Sequence, residues 1–294
     1  VRKFGWRLIW HRYVTRKRIL DAPTIRCPEN ADIEVHMQVC ARDWLNALWT
    51  IRSFRRQMQH PFQLVIFCDR SMNEEMQARL RHRLPGADVI PCDPPSRTVH
   101  ERFADRFPEL YRLRTNGRFF TLPKVTDSFA LRRHDVVLTI DPDILFFAEP
   151  KELIADLDPN RREFGIFNLP RRDADPRGAF CLDAAQLREK FGVELPLRFN
   201  CGLGSLNYAA ANWEWIEHIL KGLPPDPERA FMLDQTIFWL LSERAGWKPL
   251  SAEQYALEPV DSLEGVVARH YYGKTRDLFY VEGIAELVRR GLLN

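Results

Sequence analysis

The 294-residue chain predicts an α/β fold with a mostly parallel central sheet flanked by helices. Three observations predict it. Between residues 33 and 91, short apolar runs alternate with segments whose apolar residues recur at helical spacing, giving the strand, helix, strand, helix, strand order of a parallel sheet. A later β-branched run, residues 136–140, ends in an acidic turn, and open α/β sheets bind ligands at the carboxyl ends of their strands. With 45% hydrophobic and 28% charged residues, the composition is that of a folded protein with a sizeable core.

The net charge of +3 is small and both signs are mixed through most of the chain, so nothing demands a nucleic-acid partner. Six cysteines (27, 40, 68, 92, 181 and 201) include no C-x-x-C pair and several sit in apolar segments, the pattern of reduced thiols in a cytoplasmic protein. No apolar run approaches the roughly 18 residues of a membrane span, and the opening segment lacks the apolar core of a secretory signal.

Residues 1–30 form a basic, aromatic extension. Arg2, Lys3, Arg7, Arg12, Arg16, Lys17 and Arg18 interleave with Phe4, Trp6, Trp10 and Tyr13, a composition suited to peripheral contact of residues 1–20 with an anionic membrane. The alternative, a helical or frayed extension packed on the domain, is the reading we prefer. Strands are expected at 33–40, 62–68 and 87–91, with helices at 43–57 and 73–84 between them. A helix is expected near 98–114, another at 149–157, a strand at 164–169 and an arginine-rich loop at 170–183. Residues 199–207 place two glycines and two asparagines around a short apolar core. One helix is expected at 227–245, with the polar pair Asp234-Gln235 among apolar neighbours. A short strand ends in His270, and a C-terminal helix occupies residues 281–294.

The chemistry centres on residues 136–147, Val-Val-Leu-Thr-Ile-Asp-Pro-Asp-Ile-Leu-Phe-Phe. Two carboxylates held one residue apart between buried runs repel each other, and a hard divalent cation relieves that repulsion. The plain reading of Asp-Pro-Asp is a polar β-turn with proline at its second position. Likewise Lys124 can reach a phosphate or simply be solvated, and His270 alone is as readily structural as a ligand.

Taken in order, Asp141-Pro142-Asp143, Asn200-Cys201-Gly202, Asp234-Gln235 and His270 resemble the nucleotide-sugar glycosyltransferases of the GT-A fold, most of all the glycogenin-like and galactosyltransferase-like retaining family. The resemblance covers residues 33–274 and implies a Rossmann-like, single GT-A domain over 31–280. It makes Asp141, Asp143 and His270 ligands of Mn²⁺ or Mg²⁺, and implies transfer of a sugar from a nucleotide-diphosphate sugar to a saccharide, lipid-linked or protein acceptor. Gln38, Cys40 and Asp69 would then lie at the nucleotide, Asn200 and Gly202 along the sugar pocket, Lys274 at the phosphates, and Asp234 and Gln235 against the transferred sugar; Lys124 is a further donor-phosphate candidate that the resemblance does not itself supply. After Gly273 the family's Lys-Pro-Trp-like cluster is replaced by Lys274-Thr275-Arg276-Asp277, so the phosphate contact falls to Lys274 or Arg276. The rival readings are a sugar-phosphate nucleotidyltransferase, for which Val39-Cys40-Ala41-Arg42 offers no glycine-rich phosphate loop, and an inactive sugar-nucleotide-binding protein.

Overall fold

β2 (Phe62–Cys68) and β4 (Val136–Ile140) are buried along their whole length in the computed structural model, which describes residues 5–158 and 160–292. The sequence reads there as apolar runs, interrupted only by Gln63 and Thr139, because both faces of the sheet are covered. Among the described residues the sheet has seven strands, in the order β3 (Asp88–Pro91), β2, β1 (Ile33–Val39), β4, β7 (Asn200–Asn207), β6 (Gly165–Asn168) and β8 (Trp247–Pro249). Four of its pairings are parallel, and β7 alone runs antiparallel to both of its neighbours. A second, three-stranded sheet has the order β5 (Ile144–Phe146), β10 (Ala268–His270) and β9 (Tyr255–Ala256).

Successive strand residues point to opposite faces, and the two main cores follow that alternation. Leu138 and Ile140 join Val35, Leu64 and Ile66 against the helix Trp44–Gln57, whereas Val137 joins Phe167 and Leu206 on the side of the helices Trp213–Gly222 and Leu233–Ala245.

The helix expected near 98–114 is two helices, Arg97–Phe103 and Pro108–Thr115, because Pro108 has no N–H to continue the first and instead begins the second. Residues 227–245 also divide, into a 3₁₀ segment Pro227–Met232 and the helix Leu233–Ala245, with non-helical backbone at Arg229. Pro123–Leu131 is a helix that the sequence reading did not anticipate. The N-terminal helix, Gly5–Asp21, packs on the domain through Leu8, Thr15 and Ile19, while Arg2, Lys3 and Phe4 of the basic segment lie outside the described residues. Residues 281–292 hold the end of a π-helical turn, Phe279–Ile284, and the short helix Ala285–Arg289; the last two residues are not among those described. Among the described residues, no helix is long and apolar enough to cross a membrane.

The acidic turn between β4 and β5 is fixed by three separate parts of the chain. The Asp141 N–H donates to Gly202 O at 2.7 Å, the Thr50 hydroxyl donates to Pro142 O at 2.8 Å, and the Tyr271 N–H donates to Asp143 O at 2.9 Å. Antiparallel pairing of β5 with β10 sets His270 opposite Ile144, one residue beyond Asp143.

Candidate active site

Asp141, Asp143 and His270 place one ligand atom each within 4.8 Å of one another. His270 Nε2 lies 3.0 Å from Asp143 Oδ1 and 3.8 Å from Asp141 Oδ2. The other ring nitrogen, Nδ1, is 3.2 Å from Asn200 Oδ1, so an Nδ1–H donated to that amide leaves Nε2 facing the carboxylates. Asn200 Oδ1 also accepts the Gly202 N–H at 3.0 Å. Gly202 is required by space: a Cβ there would stand 2.2 Å from His270 Cε1 and 2.9 Å from Asp141 Oδ2. Residues 200–202 thus belong to strand β7 and press against the metal-type cluster.

Two cations cover the carboxylates. Lys124 is buried at the start of the Pro123–Leu131 helix, and its Nζ donates to Asp141 Oδ1 at 2.7 Å and to Cys201 O at 3.0 Å, with Asp234 Oδ2 3.6 Å away. The solvated alternative for this lysine does not hold. Burial acts to lower its pKa, but the surrounding negative groups, Asp141 foremost, outweigh that and keep it above the ordinary lysine range. Arg276 donates from Nη2 to Asp143 Oδ2 at 2.7 Å, and its Nη1 lies 3.3 Å from Asp43 Oδ1. The two aspartates are driven apart in acidity. Burial leaves Asp141 above its usual value despite Lys124, whereas at Asp143 the upward push of burial is overridden by His270 and Arg276, holding it at about 2.

The cluster opens into a cleft of about 730 Å³ that the domain builds from many elements. Gln38, Cys40 and Asp69 line it at the ends of β1 and β2, where Gln38 Nε2 donates to Phe120 O at 2.6 Å and Asp69 Oδ1 accepts the Ser71 N–H at 2.9 Å. Lys124, Asn200 and Gly202 line it, as do Asp234 and Gln235 from the first turn of the Leu233–Ala245 helix. Gln235 Nε2 donates to Ala179 O at 2.7 Å, tying that helix to the 170–183 segment, from which Arg172 also reaches the cleft. Lys274 is exposed and does not line the cleft; Arg276 does.

Neither a family model nor a curated protein matches this chain. Solved structures do. Mouse xyloside xylosyltransferase 1 matches with a TM-score of 0.51 at 12% identity, over 85% of this chain and 98% of that one. The galactosyltransferase LgtC, solved with donor and acceptor sugar analogs, gives 0.52 at 12% identity, over 89% and 96%. The bifunctional glycosyltransferase WbbM gives 0.52 at 15% identity, over 83% of this chain and 46% of that one. The fold is GT-A.

Within this GT-A domain, sequence reasoning passed over Asp43. Placed just before the Trp44–Gln57 helix, it has the look of an N-cap, yet its side chain makes no capping bond and turns to Arg42 and Arg276 instead. Nothing local distinguishes such an aspartate from a cap. Cys201, buried between Lys124 and Asp234, has its thiol pushed well above the ordinary range, by burial first and by Asp234 next, and its Sγ–H faces Asp234 Oδ2 at 3.6 Å.

Proposed function

We propose that the protein transfers a sugar from a nucleotide-diphosphate sugar to an acceptor, with Mn²⁺ or Mg²⁺ held by Asp141, Asp143 and His270. The observation that carries this reading is the convergence of those three side chains at the carboxyl end of β4, inside the large cleft of a GT-A fold. The donor set fits the ion: two carboxylates and one imidazole, one of its nitrogens already oriented by Asn200, suit a hard or borderline divalent cation. When bound, such an ion offsets the negative charge that gathers on a departing diphosphate.

The chain's own residues do the rest. Arg276 stands against Asp143, where a cation can meet phosphate oxygens, and takes the role open to Lys274 or Arg276 on sequence grounds. Gln38, Cys40 and Asp69 would border the nucleoside. Asp234 and Gln235 would face the transferred sugar, beside Lys124 and hence beside Asp141. Transfer with retention is the outcome we favour. Asp234 has Lys124 and the Cys201 thiol as neighbours, an arrangement that suits a fixed charge near a developing oxocarbenium ion better than a base open to an acceptor hydroxyl.

Turnover of a panel of nucleotide sugars, measured with Mn²⁺, Mg²⁺ or excess chelator, tests the reading. Transfer or donor hydrolysis should require the ion and fall at least a hundredfold in Asp143→Ala, more than changes behind the ligands usually cost. Equal turnover in chelator, or an unaffected Asp143→Ala enzyme, would sink it.

A further inference from the structure

The N-terminal helix Gly5–Asp21 turns a stripe of aromatic side chains away from the domain. Its buried residues Leu8, Thr15 and Ile19 mark one face. The opposite face carries Trp6, Trp10, Tyr13 and Lys17 at the i, i+4, i+7, i+11 spacing of a single helical stripe. Trp6 is 84% exposed, and Trp10 and Tyr13 are each 65% exposed, with Ile9 and Val14 on the borders of the stripe. Elsewhere among the described residues, the exposed large hydrophobics are of two kinds: Phe120, Phe231 and Tyr272 line the cleft, and Leu197 and Val288 stand apart. This helix therefore holds the main exposed apolar surface outside the cleft.

Charge accompanies the stripe on both sides. Arg7 and Arg18 fall along one flank, Arg12 and Arg16 along the other, and Asp21, the last residue, is the helix's single acid. Arg12 is committed to the body, paired with Asp277 at 2.9 Å and stacked 5.1 Å over the Tyr280 ring, so it anchors the helix to the domain. Arg12 and Arg16 also line a cavity of about 300 Å³ whose far side is Asp43 and Arg276, so the helix lies beside the cleft.

We propose that this helix seats the protein on an anionic lipid bilayer. Trp6, Trp10 and Tyr13 enter the boundary between headgroups and acyl chains, and Arg7, Arg16, Lys17 and Arg18 meet the headgroup anions. Rings flanked by cations suit that boundary, where one part of each side chain is apolar and the other wet. A second copy of the helix is a poor occupant, because it would bring like charges together. Single-stranded nucleic acid would use the rings and cations but leave Ile9 and Val14 without a role.

The test is flotation of the full chain with phosphatidylcholine vesicles with and without phosphatidylglycerol. The wild-type protein should float with the anionic vesicles only, and less as salt is raised and the charges are screened. The double variant Trp6→Ser/Trp10→Ser should lose on the order of tenfold in partitioning, since interfacial binding scales with buried apolar area. Arg7→Gln/Arg18→Gln should lose preference for the anionic lipid. Because these side chains are exposed, both variants should keep the wild-type melting temperature and nucleotide binding. Absence of lipid-dependent flotation, or full binding by the tryptophan variant, overturns the proposal. So does a dimer in vesicle-free solution, or binding to a single-stranded oligonucleotide, that Trp6→Ser/Trp10→Ser abolishes while flotation is unchanged.

Discussion

Arg276 joins Asp143 to Asp43, its Nη2 2.7 Å from one carboxylate and its Nη1 3.3 Å from the other. Under the proposed function the guanidinium would share the Asp143 carboxylate with the metal ion and stand where phosphate oxygens would come. Arg276→Gln should weaken nucleoside-diphosphate binding in the presence of Mn²⁺ by about tenfold, the equivalent of one charge-assisted hydrogen bond. Calorimetric titration checks it, and affinity equal to wild type would remove Arg276 from the donor site.

Lys124 bridges Asp141 and Asp234 from a buried position. Lys124→Met keeps most of the volume and removes the charge, leaving two acids without their cation. A loss of about 2–3 kcal/mol is expected, below the usual cost of breaking a fully buried pair because Asp141 keeps some access to water. Mn²⁺ should raise the melting temperature of the variant more than that of the wild type, since the ion takes over the missing positive charge. Equal shifts would contradict that account.

Gly202→Ala should act through His270. The added methyl lies within 2.2 Å of the ring, so the imidazole must move away from the carboxylates. The overpacking costs about 1–3 kcal/mol, while Mn²⁺ affinity falls by tenfold or more as the third ligand is displaced. Metal titration of the folded variant separates the two effects.

Glu34 carries a pH dependence remote from the cleft. It is buried, with Oε2 accepting the Arg133 and His134 N–H groups at 2.9 Å and Oε1 2.9 Å from His36 Nε2. Burial pushes its carboxyl up, but His36 and the two N–H groups override that and leave it below the ordinary 4.5. A carboxyl more acidic in the folded state contributes stability that is complete above pH 4.5 and is lost as pH falls through its folded value. Glu34→Gln should therefore cost about 1–3 kcal/mol in urea melts at pH 7, and the gap to wild type should narrow as the pH is lowered below 4.5. A constant gap would show that the charge of Glu34 is not what stabilises the fold.

Elements whose stability is local can be read from the order of residues alone. Phe62–Cys68 is legible to the residue because a strand covered on both faces is apolar at nearly every position, here all but Gln63, and the mostly parallel sheet follows from its alternation with helices such as Trp44–Gln57. The acidic turn could be read from its own spacing. The helix Pro123–Leu131 could not, because its buried surface mixes Val125 and Ala130 with Lys124, Asp127 and Ser128, polar groups that Asp141, Arg114 and Tyr208 satisfy from elsewhere in the chain. Which groups meet Asp141-Pro142-Asp143 depends instead on how distant segments pack. Pairing of β5 with β10 delivers His270, the chain beyond it delivers Arg276 rather than Lys274, and close approach of β7 fixes Gly202. Contacts between residues so distant in the chain leave no periodicity to read, since the backbone sets them by strand order and register.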